Sequence, residues 1–168
     1  MISVIIHCNE DIDPLADTLA MLVSGAVFGL INEVILWSDD HSNVLKTIAD
    51  DTGCHYLPHS HLCAAIASAK SNWLLFLSPG SRLLDQWREI LSRYVKIETK
   101  PASFRPVRDK KFWLPPAFFS RHHFADNGLL IRTQQINKTD LRNEKDLVNL
   151  RNIRPVILPI QIITKNMR

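Results

Sequence analysis

Ser71-Asn-Trp-Leu-Leu-Phe-Leu-Ser-Pro-Gly-Ser-Arg-Leu-Leu84 decides how the rest of the chain must be arranged. The unbroken apolar run Trp73–Leu77 has the length and aromatic content of a strand buried on both faces. It stops at Ser78-Pro79-Gly80-Ser81, where proline presets one backbone angle and glycine accepts a positive one, so a turn is predicted. In an open α/β sheet, ligands sit in the crevice just beyond the carboxyl ends of the strands. This turn is therefore the first place to look for chemistry, and it carries no carboxylate.

Working back towards the start, Ser3–Ile6 reads as a short buried strand ending at His7-Cys8-Asn9-Glu10. Asp13 is placed to cap a helix with Pro14 at its first position, where a missing N–H costs nothing. Leu15, Leu19, Leu22, Val23 and Ala26 recur at helical spacing along it. Glu33–Ser38 is a second strand, Asp39-Asp40-His41-Ser42 a turn, Val44–Asp51 a second helix, and Gly53 its terminator. Cys54–Leu57 is a third short strand, and Leu62–Lys70 an alanine-rich helix leading into Trp73. This βαβαβαβ succession predicts a parallel sheet with right-handed crossovers in the order 3-2-1-4. The first strand then lies beside Trp73–Leu77, with His7–Glu10 and Ser78–Ser81 at one crevice.

Beyond Leu84, Asp85 is placed to cap a helix running through Tyr94, with Trp87, Ile90 and Leu91 on its apolar side. The pattern then loosens. Residues 96–116 are rich in proline and basic side chains, and only Ala102–Val107 reads as a strand there. Gly128–Ile131 is another short strand, Asn143–Leu150 a helix, and Pro155–Thr164 one or two final strands.

The 168 residues suit one domain, with 46% hydrophobic and 22% charged residues in the range of an ordinary soluble protein. A net charge of +3 suits an anionic ligand, and no nucleic-acid partner is expected. Glycine numbers only 5, and neither G-x-G-x-x-G nor G-x-x-x-x-G-K-[ST] occurs, which counts against the glycine-rich phosphate loops. Cys8, Cys54 and Cys63 form no C-x-x-C pair and read as thiols of a reducing compartment. Met1-Ile-Ser-Val4 lacks a basic leader, and the apolar stretch Leu19–Ile31 is broken by Ser24, Gly25 and Gly29, so a cytoplasmic protein is expected.

The blocks, in order, resemble the family 2-like glycosyltransferases of GT-A fold, and most of all a compact bacterial branch. Members of that branch read roughly S-V-I-I-P-T-x-N-E, E-V-I-V-V-D-G-G-S-T-D, W-L-L-F-L-H-A-D-T-R-L, G-D-Q-G-L-L-I and E-D-V-D-L-V. This chain has Ser3-Val-Ile-Ile-His-Cys-Asn-Glu10, Glu33-Val-Ile-Leu-Trp-Ser-Asp-Asp-His-Ser-Asn43 and Trp73-Leu-Leu-Phe-Leu-Ser-Pro-Gly-Ser-Arg-Leu83. Ala125-Asp-Asn-Gly-Leu-Leu-Ile131 and Asn143-Glu-Lys-Asp-Leu-Val148 follow. The resemblance implies a mostly parallel mixed sheet flanked by helices. It implies a single domain, with residues 1–94 as nucleotide-binding half and 95–168 as a shortened acceptor-side half. It also implies a nucleotide-diphosphosugar as partner and transfer of its sugar to an acceptor.

Inverting sugar transfer needs a base for the acceptor's proton and positive charge on the departing diphosphate. In the family a divalent Mg²⁺ or Mn²⁺, held by the last Asp of the A-D pair, supplies that charge. Gly80 stands at that position, so no metal or other cofactor is assigned. The chain then reads as a metal-independent or weakly active transferase, or as a degenerate member that binds a nucleotide, a sugar or a protein partner. Arg82, Lys70 and Arg121 are candidates for the missing positive charge.

Of the family's E-D pair, Asn143-Glu144 keeps one carboxylate, and Glu144 is either the catalytic base or an ordinary acidic residue at a helix start. Substrate contacts are expected from Asn9, Glu10, Ser38, Asp39, Asp40, Ser78, Gly80, Ser81 and Asp126. Each has a plainer alternative: Asn9 and Glu10 end a strand, Asp39 and Asp40 cap the next helix, and Asp126 sits in a turn. The ungapped frame puts Ser38 where the family has its nucleotide-contacting aspartate, and a one-residue shift puts Asp39 or Asp40 there. His55, His59 and His61 are separated by Pro58 and read as ordinary loop histidines rather than metal ligands. The segment Arg105–Trp113 is either a solvated loop or a peripheral contact with lipid headgroups or a phosphorylated acceptor.

Overall fold

The computed structural model describes residues 1–8, 12–84, 86–107, 127–136 and 155–164. In chain order these residues form β1 (Ile2–His7), α1 (Asp13–Val27), β2 (Ile31–Trp37), α2 (Asn43–Thr52), β3 (His55–Leu57), α3 (Leu62–Ser68) and β4 (Trp73–Leu77). They continue with β5 (Arg82–Leu83), α4 (Trp87–Ile97), β6 (Ala102–Pro106), β7 (Leu129–Arg132), α5 (Thr133–Ile136) and β8 (Val156–Ile163). The strands make one sheet in the order β3-β2-β1-β4-β7-β6-β8-β5. The expected 3-2-1-4 order is its first half.

β1 is the axis of the sheet. It pairs in parallel with β2 on one side and with β4 on the other. Its apolar residues alternate between faces, as the two-residue period of a strand requires. Val4 and Ile6 join one core with Leu15, Leu19 and Leu22 of α1, Leu45 of α2 and Trp87 and Leu91 of α4. Ile5 joins the other, with Ile35, Trp37, Leu74 and Phe76 of the neighbouring strands, Leu62, Ala65 and Ile66 of α3 and Ile136 of α5. Burial on both faces is why Trp73–Leu77 is continuously apolar, and all five of its residues are buried.

The second half runs mostly antiparallel. β7 pairs antiparallel with β4 and with β6, and β6 and β8 are parallel. β5 follows β4 directly after the Ser78–Ser81 turn, yet lies at the far end of the sheet order, antiparallel to β8. Four interstrand steps of about 4.8 Å make roughly 19 Å in a flat sheet, further than a closed turn reaches. The sheet therefore curls, bringing Phe104 and the β8 residues Leu158, Ile160 and Ile162 into the core beneath α1 and α4.

A polar strut closes the amino-terminal edge of the sheet. The fully buried Ser3 hydroxyl donates to Glu33 Oε1 at 2.6 Å and accepts from the Ser71 N–H at 3.1 Å. Glu33 Oε1 also accepts from the Lys70 N–H at 2.6 Å. A serine in the middle of an apolar strand is thus explained by satisfied hydrogen bonds.

Several element ends differ from expectation. The residue flanking α1 is Ile12, with no side-chain cap, and Asp13 is already helical, so Asp13 adds only charge at the positive end of the helix. Ser42 caps α2, accepting from the Leu45 N–H at 3.3 Å, and Gly53 ends it at φ 69°. α4 runs on to Ile97 and opens after Gln86, which holds a left-handed φ of 45°. β5 and α5 were not expected, and Pro155–Thr164 contains one strand, Val156–Ile163. Asp85 and the expected helix over 143–150 lie outside the described residues.

Candidate functional site

Because β1, β2 and β4 are parallel neighbours, their carboxyl ends open on one edge. His7, the last residue of β1, pairs with Trp37 on the β2 side. On the β4 side Ile6 pairs with Leu77, so the next step sets His7 level with Ser78. His7–Cys8 and the Ser78–Ser81 turn thereby share the crevice that the sequence reading expected at this junction.

The His7 ring stacks on the Trp37 ring, with centroids 3.9 Å apart and planes 15° from parallel. Its Nε2 is shielded from solvent and lies 3.3 Å from Asp39 Oδ2, off the line of a good hydrogen bond. The His7 side chain is nonetheless 41% exposed and that of Asp39 60%. Cys8, next along, donates its N–H to the Trp37 carbonyl at 2.8 Å. Burial pushes the Cys8 thiol up to about 12, with a smaller push from Cys54. At neutral pH Cys8 is therefore a neutral packing group and no nucleophile.

Ser38 is buried, and the turn itself uses its hydroxyl. It donates to the Asp40 carbonyl and lies 2.9 Å from the Tyr56 hydroxyl. Tyr56 in turn accepts from the Ser42 N–H at 3.0 Å. The Ser60 N–H closes on the Ser38 carbonyl at 3.1 Å. These bonds pin the turn to β3 and leave Asp39 and Asp40 exposed on its outside.

At the end of β4, Gly80 adopts φ 87° and its N–H donates to Thr18 Oγ1 of α1 at 2.9 Å. The turn closes with the Ser81 N–H on the Ser78 carbonyl at 3.0 Å. Ser81 is fully buried, and among the described residues its hydroxyl has no hydrogen-bond partner. A divalent cation prefers carboxylate oxygens. Gly80 offers no side-chain donor and the turn only hydroxyls, so the described residues at the end of β4 do not fit such an ion. Among the described residues, no three His, Cys, Asp or Glu side chains converge.

The candidate cations are scattered. Lys70 precedes β4 at the opposite edge of the sheet, its Nζ 3.8 Å from Glu33 Oε2, so it does not reach this crevice. Arg82 is exposed on β5, directly after the turn. His59 faces His41, their ring centroids 6.1 Å apart, joining the loops after β2 and β3. Arg105 is exposed on β6. Asn9, Glu10, Arg121, Asp126, Glu144 and the run from Arg108 to Trp113 lie outside the described residues.

The sequence placed His7 at the crevice without a role, and did not single out Trp37, Thr18 or Tyr56 as parts of the site. A tryptophan and a histidine at the two strand ends were the available signal for the stack. Thr18 and Tyr56 carry no local signal, since both act on backbone groups far away in sequence.

Solved structures share this fold. Mannosyl-3-phosphoglycerate synthase from Rubrobacter xylanophilus matches with a TM-score of 0.66 at 9% identity, over 98% of this chain and 66% of that one. The fold is GT-A. Glucosyl-3-phosphoglycerate synthase from Mycobacterium tuberculosis, in complex with phosphoglyceric acid, matches over 100% of this chain and 72% of its own, with a TM-score of 0.63 at 10% identity. The mannosyltransferase PcManGT from Pyrobaculum calidifontis, in complex with GDP-Man and Mn²⁺, gives a TM-score of 0.62 at 10% identity over 96% and 56%. This GT-A chain thus spans from just over half to under three quarters of the length of these enzymes. At such identities the likeness is one of fold. No family model matches the chain, and no curated protein matches it either. Among the described residues, no helix is long and apolar enough to cross a membrane.

Proposed function

We propose that the chain binds a nucleotide-diphosphosugar in this crevice and transfers its sugar to an acceptor, without a metal ion at the turn after β4. One observation carries the reading: β1 and β4 pair in parallel at a topological switch point, which sets His7 and the Ser78–Ser81 turn side by side. On this reading residues 1–94 form the nucleotide-binding half and 95–168 a short acceptor-side half of one domain. Asn9, Glu10, Asp39, Asp40, Ser78 and Ser81 border the donor, and Asp126 the acceptor. Glu144 serves as general base. It takes the acceptor's proton as the acceptor oxygen bonds to the anomeric carbon, and the bond from that carbon to the diphosphate breaks.

The test is incubation with a panel of nucleotide-sugars and candidate acceptors, in EDTA and in Mn²⁺, with release of nucleoside diphosphate as the readout. Release in EDTA supports the reading, and release only in Mn²⁺ removes its metal-independent part. The segment Arg105–Trp113 extends the proposal to peripheral contact with lipid headgroups, checked by cosedimentation with anionic vesicles.

A second reading is favoured by Gly80, where the ligand expected of the family has no side chain. On that reading the chain binds a nucleotide, a sugar or a protein partner and does no chemistry. Nucleotide binding with neither transfer nor hydrolysis from any donor would select it.

A further inference from the structure

We infer that His7 supplies the positive charge that a nucleoside diphosphate meets in this crevice, in place of a metal ion. The inference rests on the nucleotide-sugar reading above and deepens it. It starts from the mismatch at Gly80: the turn that should hold a cation has no ligand for one, while the exposed carboxylate of Asp39 lies beside His7 at the crevice rim. A diphosphate brought against that rim needs a cation, or at least a charged N–H donor, to offset the repulsion.

His7 has the position and the support for this role. It ends the central strand, beside Trp37 of β2 and level with Ser78 of the turn. One face of the ring lies on Trp37, and its Nε2 edge is shielded beside Asp39. Two contacts from β2 and its turn thus fix the plane and rotation of the ring. The side chain is still 41% exposed, so part of the ring remains open to the crevice away from the shielded Nε2. Protonated against a bound diphosphate, the ring would keep Nε2 beside Asp39 and offer its second N–H to a phosphate oxygen. The carboxylate orients the imidazole, and the imidazole presents the bond. The ring is already held by Trp37 and Asp39 before any ligand arrives, which keeps the entropic cost of binding low.

The competing cation is Arg82. It is close in sequence to the turn, exposed, and a natural phosphate ligand by virtue of its planar fork. Among the described residues, however, no stack or ion pair orients its side chain towards the crevice.

Isothermal titration in EDTA decides between them, with UDP, GDP, uridine and guanosine as probes and the wild type, His7→Gln and Arg82→Gln as proteins. The expected result is that His7→Gln weakens diphosphate binding about tenfold to a hundredfold, the worth of one charge-assisted hydrogen bond, and leaves nucleoside binding unchanged. Arg82→Gln should bind as the wild type does. As a check independent of any variant's folding, the wild-type His7 ring resonances should move on titration with the diphosphate and not with the nucleoside. The role of His7 is overturned if His7→Gln keeps full diphosphate affinity, if its loss falls equally on nucleosides, if Arg82→Gln carries the loss, or if wild-type binding requires Mg²⁺. A wild type that binds no nucleoside and no diphosphate, with or without metal, overturns the nucleotide-sugar reading itself and the role of His7 with it.

Discussion

The Gly80 N–H donates to Thr18 Oγ1 at 2.9 Å, tying the turn after β4 to the buried face of α1. Thr18 is fully buried, and its own hydroxyl reaches back to the Pro14 carbonyl at 3.4 Å. One side chain thus ties the start of α1 to the turn that borders the crevice. The bond also explains a polar residue on the inner face of an otherwise apolar helix.

Thr18→Val keeps the shape and removes the acceptor, so it should destabilise the fold by about 1–3 kcal/mol by leaving a donor short of a partner. Thr18→Ser should retain most of the stability. Urea unfolding of the two variants checks this. Equal midpoints for wild type and Thr18→Val would show that the hydrogen bond adds nothing.

Gly128 precedes β7 at φ 64°, and a Cβ there would stand 2.5 Å from Phe104 Cδ2 and 3.3 Å from Leu77 Cδ2. Gly29 has a similar φ of 74°, with nothing within 4 Å of such a Cβ. Gly29→Ala should therefore lose only the backbone cost of a left-handed residue, about 1–2 kcal/mol. Gly128→Ala should add the cost of overpacking, about 1–3 kcal/mol more. Thermal denaturation of both variants separates the two terms. Equal losses would mean that Phe104 moves aside freely.

These particulars show what a sequence can and cannot disclose. The strand Trp73–Leu77 was legible because burial on both faces leaves a continuous apolar run. Gly53 was legible because a left-handed helix end favours glycine. β5 was not, since Arg82 and Leu83 are a strand only by pairing with Ile163 and Ile162, some 80 positions on. Asp13 looked like a cap because caps are defined by backbone geometry that sequence only suggests. At the crevice, the turns after β2 and β4 could be read from their polar and glycine residues. The His7–Trp37 stack was only hinted at by a histidine and a tryptophan near two strand ends, because bringing them face to face depends on the register between the strands.

Cys8 is held neutral by burial, with its thiol pushed up to about 12 from an ordinary 9.0. Between those values the folded chain keeps a proton that the unfolded chain releases. The stabilising difference is therefore full below pH 9 and is lost as pH rises towards 12. Comparison of wild type with Cys8→Ala isolates this contribution: the wild-type protein should lose stability more steeply above pH 9. At pH 8 a maleimide should label the exposed Cys63 in the native protein, and Cys8 only after unfolding. Rapid native labelling of Cys8 would contradict its burial.

Glu144 is the residue through which the proposed transfer is most sharply tested. A general base takes part in the chemical step and not in donor binding, and it typically contributes about 10²- to 10⁴-fold. Glu144→Gln keeps the size and hydrogen-bonding capacity of the side chain while removing its basicity. If the chain is a transferase, this variant should lose turnover by about that factor with nucleotide affinity unchanged. Single-turnover transfer and nucleotide titration, run on the same preparation, separate the two quantities. Loss of both together would assign Glu144 to binding or folding, and wild-type turnover would remove it as the base. Loss of turnover alone, set beside a His7→Gln variant that loses diphosphate affinity, would divide the work of the crevice between a group that holds the leaving diphosphate and one that accepts the acceptor's proton.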